Sequence, residues 1–231
     1  MNTAILLSGG TGSRVGADIP KQYLNINGKR MIYYSLDAMT ASECIDKICI
    51  VASKEWQTVL SDEIKDGTKY KIIGFAEPGE NRQMSIFNGL NCIKNSIGIM
   101  SDNDTVFIQD AARPYLTNEM IKTYIEAIKG HDGVLPVLPM KDTVYISENG
   151  RTISSLIDRK TVYAGQAPEV FNFKKYYEAN EVLLPDKILK INGSTEPAIM
   201  AEMDIVMVPG EEKNKKITTI EDVENITLGI Y

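Results

Sequence analysis

Five short clusters in this chain combine residue types that bind anions or redistribute charge. The first runs Ser8-Gly9-Gly10-Thr11-Gly12-Ser13-Arg14-Val15-Gly16 and continues through Pro20-Lys21-Gln22-Tyr23. Glycines let a backbone approach a phosphate closely and turn its N–H groups inward. Arg14 and Lys21 would add two cations for a polyphosphate. The dinucleotide fingerprint, started at Gly10, needs glycine where Val15 stands, and the Gly-Lys-Ser/Thr of a Walker loop is absent from the chain. This is a phosphate loop of neither type, or a flexible turn carrying two solvated charges.

The second cluster, Gly79-Glu80-Asn81-Arg82-Gln83-Met84-Ser85, leads into a helical pattern. Ser85 falls in the first turn, where a hydroxyl and backbone amides read a nucleobase or an anion; an ordinary helix start explains the same residues. The third, Gln109-Asp110-Ala111-Ala112-Arg113-Pro114, follows an apolar run. A carboxylate there suits Mg²⁺ on phosphates or a hydroxyl, and Ala111 and Ala112 leave room for a ligand. An Asp110–Arg113 ion pair bracing the loop is compatible with either role. The remaining clusters are Asp158-Arg159 with Gly165-Gln166-Ala167-Pro168-Glu169, and Asn214-Lys215-Lys216-Ile217-Thr218-Thr219.

Composition limits what these clusters can do. The 231 residues include one histidine, His131, placed between Gly130 and Gly133 in a turn context. Ser-His-Asp, Cys-His and multi-histidine metal chemistry are therefore excluded, and catalysis must rest on Lys, Arg, Asp and backbone amides. The net charge of −6 argues against a nucleic-acid-coating protein while leaving room for a local basic pocket. Cys44, Cys49 and Cys92 have no metal-site spacing and read as reduced structural thiols. No apolar run approaches the roughly 20 residues of a membrane span, and the N-terminus lacks a signal-peptide pattern. A cytoplasmic location is the expectation, with neither nucleic acid nor membrane as partner.

The elements that must position the clusters follow from periodicity. Apolar runs at Thr3–Ser8, Lys47–Ala52, Lys71–Phe75, Thr105–Gln109, Gly133–Leu138 and Ile205–Val208 read as strands. Helical spacing marks Met31–Met39, Arg82–Ile97, Asn118–Lys129 after a Thr117 cap, and Ile220–Leu228, which Thr219 and Asp222 open like a capping box. This alternation predicts an α/β fold, one domain over 1–231, with a mainly parallel sheet covered by helices on both faces. Ligands in such sheets sit at the carboxyl ends of strands, where the clusters fall. One stretch breaks the pattern: Lys141–Leu156 carries Asn149-Gly150 between polar-apolar runs, a hairpin signal. So polar a hairpin has little to bury on its own sheet. It predicts a projecting arm over about 141–160 that packs on a partner subunit, with a surface flap as the alternative.

In order and spacing, the five clusters resemble the cytidylyltransferases that form CDP-polyols, in particular the 2-C-methyl-D-erythritol 4-phosphate and ribitol-5-phosphate enzymes. GGTGSR with PKQY, the Arg82–Leu90 stretch RQMSIFNGL, DAARP at Asp110–Pro114 and NKKIT at Asn214–Thr218 carry the likeness, from the first strand to Asp222. Gly9-Gly10-Thr11-Gly12, Trp56, Thr117 and Tyr163-Ala164-Gly165-Gln166 look more like the ribitol-5-phosphate branch. The resemblance implies a Rossmann-like fold and a homodimer joined through the arm. It also implies transfer of CMP from CTP to an alditol phosphate with loss of pyrophosphate, serving a cell-wall or capsule polymer, or isoprenoid synthesis in the methylerythritol alternative. By the same likeness Arg14, Lys21 and Lys216 would be the catalytic cations. Ser8, Gly9, Gly10, Gly12, Gly79, Glu80, Arg82, Ser85, Asp110 and Ala111 would bind CTP. Asp110, Arg113, Thr143, Arg159 and Ala167 would bind the acceptor, with Mg²⁺ as cofactor near Asp110.

The chain departs from the family pattern on the acceptor side. The family usually has Gln-Thr-Pro-Gln where Gln166-Ala167-Pro168-Glu169 stands, and Thr-Asp within the segment occupied by Ser194-Thr195-Glu196-Pro197. Ala167 has no hydroxyl for a substrate contact. These departures point to an altered alditol-phosphate specificity, and a CTP-binding regulator without turnover is the reading from another class.

Overall fold

The computed structural model describes residues 1–10, 19–64 and 69–229. Its strands are β1 (Asn2–Leu7), β2 (Asn25–Ile26), β3 (Lys29–Arg30), β4 (Lys47–Val51), β5 (Ile72–Ala76), β6 (Thr105–Asp110), β7 (Gly133–Pro139), β8 (Val144–Ile146), β9 (Ser155–Ile157), β10 (Tyr163–Gly165), β11 (Glu169–Asn172) and β12 (Ile205–Pro209). The helices are α1 (Met31–Ala41), α2 (Lys54–Glu63), α3 (Arg82–Ile97), α4 (Asn118–Ala127), α5 (Phe173–Glu181), α6 (Glu196–Met200) and α7 (Ile220–Thr227).

Eight strands form one sheet in the order β10-β7-β11-β6-β1-β4-β5, with β12 also on β7. The β6-β1-β4-β5 half is parallel. β11 enters antiparallel between β6 and β7, whereas β12 runs parallel to β7. Alternation along the central strands explains why helices cover both faces. Ala4, Leu6, Ile48, Ile50 and Phe107 pack with Leu36, Met39, Leu60 and Ile121. Their strand neighbours Ile5, Cys49, Val51, Val106 and Ile108 pack with Ile86, Leu90, Ile93 and Tyr176. A strand apolar at every position is buried on both sides, as parallel sheets require. Gly89 lets α3 lie close to β1, because a Cβ there would meet the Ile5 side chain at 3.0 Å.

Three helix starts are capped by side chains, and two of them, at Thr117 and at Thr219 with Asp222, match the sequence in mechanism as well as position. The Asn81 side chain accepts from the Met84 N–H and Thr117 from Met120, and Thr219 with Asp222 completes a capping box. Helices α2, α5 and α6 were not expected; α2 buries only Leu60, so its sequence carries little periodic signal.

The 141–156 stretch forms the hairpin, β8 pairing antiparallel with β9 in a sheet of its own. Its connection is longer than a two-residue turn: Asn149 Oδ1 accepts from the N–H groups of Arg151 and Thr152, and Gly150 takes a φ of +69°. Tyr145, Ile146, Ile153 and Leu156 are exposed. Among the described residues no helix is long and apolar enough to cross a membrane.

Candidate active site

Because β1, β5 and β6 run in the same direction, the residues that follow them meet at one edge of the sheet. There they enclose a cavity of about 430 Å³ lined by Ser8, Gly9 and Gly10 after β1, Gly79 to Arg82 and Ser85 after β5, and Asp110 and Ala112 at the end of β6. Lys21 and Lys216 also line it. Gly12 and Arg14 lie outside the described residues.

The loop after β1 is held from behind. Gln22 Nε2 donates to the carbonyls of Ser8 (2.6 Å) and Gly10 (2.7 Å), and the Tyr23 hydroxyl donates to Ser8 O at 3.0 Å. Tyr23 stacks on Trp56 with ring centroids 3.8 Å apart, and burial pushes its phenol up to about 12. These contacts take up the Ser8 and Gly10 carbonyls, while the Ser8 N–H donates to Val51 O at 2.9 Å. Gly9 is required by close packing, since a Cβ would approach Pro78 to 2.4 Å. On the facing loop the Ser85 hydroxyl accepts from the Gly79 N–H at 3.0 Å and donates to Asn81 O at 2.8 Å. Ser85 therefore shapes the turn and keeps one acceptor lone pair.

Asp110 is the hub of the charges. Its Oδ2 accepts from Lys216 Nζ at 2.8 Å and lies 3.8 Å from Arg113 Nε, while Oδ1 accepts from Arg82 Nη2 at 3.2 Å. Burial opposes ionisation of this carboxyl, yet Arg82, Lys216 and Arg113 together hold it well below the usual carboxylate range. The expected Asp110–Arg113 pair is present but is one of three. Arg113 also donates from Nη1 to Asn214 O at 2.6 Å, which ties the end of β6 to the 214–218 segment. Burial pulls the Arg113 guanidinium below its ordinary value, with Asp110 and Glu169 opposing.

Several expected residues sit elsewhere. Ala111 is fully buried in the core, and Ala112 lines the cavity in its place. Ala167 is buried, its carbonyl accepting from Asn214 Nδ2 at 2.8 Å. Thr143 and Arg159 are exposed on and beside the arm, Arg159 donating to Lys141 O at 2.7 Å. Neither Arg113, Ala167, Thr143 nor Arg159 is among the described residues lining the cavity. The sequence reading did not foresee the bracing by Gln22 and Tyr23, or Glu169 beside Arg82. PKQY was the only signal for the first, and the second had none.

Asp110 and Glu80 are the carboxylates of the cavity wall, and no group of three His, Cys, Asp or Glu suited to a metal occurs among the described residues. This donor set fits a Mg²⁺ carried on nucleotide phosphates and touched by one or two carboxylates, rather than a cage made by the protein.

The family model described as IspD: 2-C-methyl-D-erythritol 4-phosphate cytidylyltransferase matches residues 2–227. The chain is 35% identical over 228 residues to the 2-C-methyl-D-erythritol 4-phosphate cytidylyltransferase of Lachnospira eligens, covering 97% of this chain and 96% of that one. It is 34% identical over 227 residues to that of Lachnoclostridium phytofermentans, covering 96% and 92%. Among solved structures, the 4-diphosphocytidyl-2C-methyl-D-erythritol synthase of Anaerococcus prevotii superposes with a TM-score of 0.80 at 24% identity, covering 99% of this chain and 97% of that one. The Francisella tularensis 2-C-methyl-D-erythritol 4-phosphate cytidylyltransferase gives 0.76 at 24% identity, covering 98% of each chain, and both likenesses concern the fold. With the match running along nearly its whole length and the cation-lined cavity at the strand ends, the chain belongs to the IspD, or 2-C-methyl-D-erythritol 4-phosphate cytidylyltransferase, family and is a CTP-dependent nucleotidyltransferase.

Proposed function

We propose that this enzyme transfers CMP from CTP to 2-C-methyl-D-erythritol 4-phosphate, releasing pyrophosphate. The observation that carries the transfer chemistry is a cavity edge lined by Lys21, Arg82 and Lys216, the last two paired with Asp110. The acceptor's phosphate oxygen attacks the α-phosphorus of CTP as the bond to pyrophosphate breaks. That oxygen is already ionised near neutral pH, so the step needs no general base. What the protein supplies is alignment and charge: Lys21, Lys216 and, in the loop outside the described residues, Arg14 stabilise the charge that builds on the phosphates. A Mg²⁺ bound on the phosphates would neutralise part of the same charge. The loop amides after β1, Gly79, Glu80 and Ser85 hold the nucleotide end.

The acceptor rests on the relatives, whose descriptions name methylerythritol phosphate, and this supports that substrate over the ribitol 5-phosphate expected from the sequence. Ribitol 5-phosphate remains a second reading on one observation: buried Ala167 presents a methyl where the family's usual threonine has a hydroxyl. The arm joins two copies, and Thr143 and Arg159 reach the acceptor phosphate in the partner's site. Pyrophosphate release measured with CTP and a panel of alditol phosphates tests the reading. Methylerythritol phosphate is expected to give the highest kcat/KM. Preference for ribitol 5-phosphate would replace the acceptor, and tight CTP binding without turnover of any acceptor would make the protein a regulator.

A further inference from the structure

Glu169 has no part in the chemistry above, yet it lies among the charges that do. It is the first residue of β11 and pairs with Ile108 of β6, two residues before Asp110. Paired strand positions share a sheet face, so Glu169, Asp110 and the α3 residue Arg82 occupy the same side of the sheet. Arg82 Nη2 lies 3.2 Å from Asp110 Oδ1 and 3.6 Å from Glu169 Oε2, shared between two carboxylates. The other Glu169 oxygen accepts the Ser194 hydroxyl, while Oε2 is buried without a hydrogen bond. Ser194 is in turn fixed by the buried Tyr176 hydroxyl, which donates to its carbonyl at 2.6 Å. A buried carboxylate left short of a donor is costly to keep, and such a group is retained where its charge has a use.

We propose that Glu169 is a positioning residue for cytidylyl transfer: its carboxylate draws Arg82 off Asp110 and so leaves Asp110 paired with Lys216. The geometry gives the reason. Arg82 lines the cavity, and a guanidinium facing a single carboxylate closes on it with two parallel hydrogen bonds. Asp110 Oδ2, now held by Lys216, would be the second acceptor of that fork. Glu169 prevents this by offering the same Arg82 nitrogen a competing negative charge 3.6 Å away. Lys216 then keeps its anchor at the cavity edge, where a misplacement of an ångström can lower a rate a hundredfold. Ser194 aims the carboxylate, and so links the 194–197 segment to the nucleotide side of the site.

The inference rests on the cytidylyltransferase reading, and its test is arranged to separate the two. Wild-type turnover with the best acceptor of the panel, together with calorimetric CTP binding, checks that reading first. Glu169→Gln keeps the shape and the partner for Ser194 and removes the charge. It is expected to lower kcat about tenfold with KM for CTP changed less than threefold, and with a melting temperature no lower than wild type. In an Arg82→Gln background the same substitution is expected to add less than a twofold effect, since the residue it acts through is gone. Wild-type kcat in the single variant, or a full tenfold loss in both backgrounds, would overturn the proposal. A lowered melting temperature with loss of active protein at unchanged kcat per active site would overturn it too. Should Glu169→Gln fail to fold, Ser194→Ala reads the same role: a roughly threefold lower kcat supports it, and an unchanged kcat overturns it.

Discussion

At the end of β6, Asp110 is buried among Arg82, Arg113 and Lys216, and two of these three cations, Arg82 and Lys216, are brought from distant parts of the chain. In the β8–β9 hairpin the arrangement is reversed: the hydrogen bonds are local, as in the Asn149 turn, and the apolar side chains Tyr145, Ile153 and Leu156 are exposed. The first region is complete within one chain as far as its described residues go, and what it needs is an anion. The second leaves apolar side chains exposed, the surface on which the proposed dimer contact rests. One region holds its charges in a fixed, buried order, and the other leaves hydrophobic area in contact with water.

The sharpest way to break this contrast is to remove the hub. Asp110→Ala would leave three cations facing one another, and breaking a buried ion pair costs about 3–5 kcal/mol. Arg82 and Lys216 are partly exposed, so the lower end is expected, read as a fall in the denaturation midpoint. Lys21→Ala should leave the fold intact and raise the barrier by about 2.7–4 kcal/mol, the size seen for other transition-state donors. Pyrophosphate release within a few-fold of wild type would remove Lys21 from its role. For the arm, Leu156→Asp should weaken association by roughly 1.5–3 kcal/mol, the worth of burying one leucine. Sedimentation would show monomers, and kcat/KM for the acceptor would fall while CTP affinity held; a monomeric wild type would sink the cross-subunit contacts.

The smallest effect is one of pH. Burial and the nearby Asp110 raise the Glu169 carboxyl above its ordinary value near 4.5, against the pull of Arg82, Ser194 and Arg113. A raised acid favours the protonated folded state, so ionised Glu169 burdens the fold above its folded value and the burden lifts as the pH falls. Asp110 has the opposite sign: its contribution is present above its ordinary value near 3.8 and is lost as pH falls through its depressed folded value. Glu169→Gln should therefore melt higher than wild type at pH 7 to 8, with the gain fading as the pH approaches about 4.5. An equal gain at every pH would contradict an ionised Glu169.

Much of this architecture could be read before any coordinates. Arg82–Ile97 is helical between the bounds its apolar spacing suggests, and Asn81 caps it. Thr219 and Asp222 form the capping box that their spacing implied. The hairpin around Asn149-Gly150 is present, although its loop is wider than the dipeptide suggests. These features depend on residues within a few positions of each other, where backbone geometry alone fixes the distance. The Gln166–Glu169 segment was different. It reads as part of a candidate cluster with Ala167 at the acceptor, and it leads instead into β11, which fills the space between β6 and β7. A four-residue strand has too few alternations to register as a pattern.

Taken alone, the chain's residue types already determined the chemistry. One histidine and a series of cations at strand ends leave charge stabilisation of phosphates as the available route, and periodicity placed those cations at the carboxyl edge of an α/β sheet. Only the tertiary structure decided which charge meets which. Arg82 and Glu169 are 87 positions apart by their numbers, yet lie 3.6 Å apart, and no local rule couples them. Coulomb energy and desolvation depend on distance and burial in space, so the depressed Asp110, the raised Glu169 and the guanidinium between them exist only once the sheet has closed.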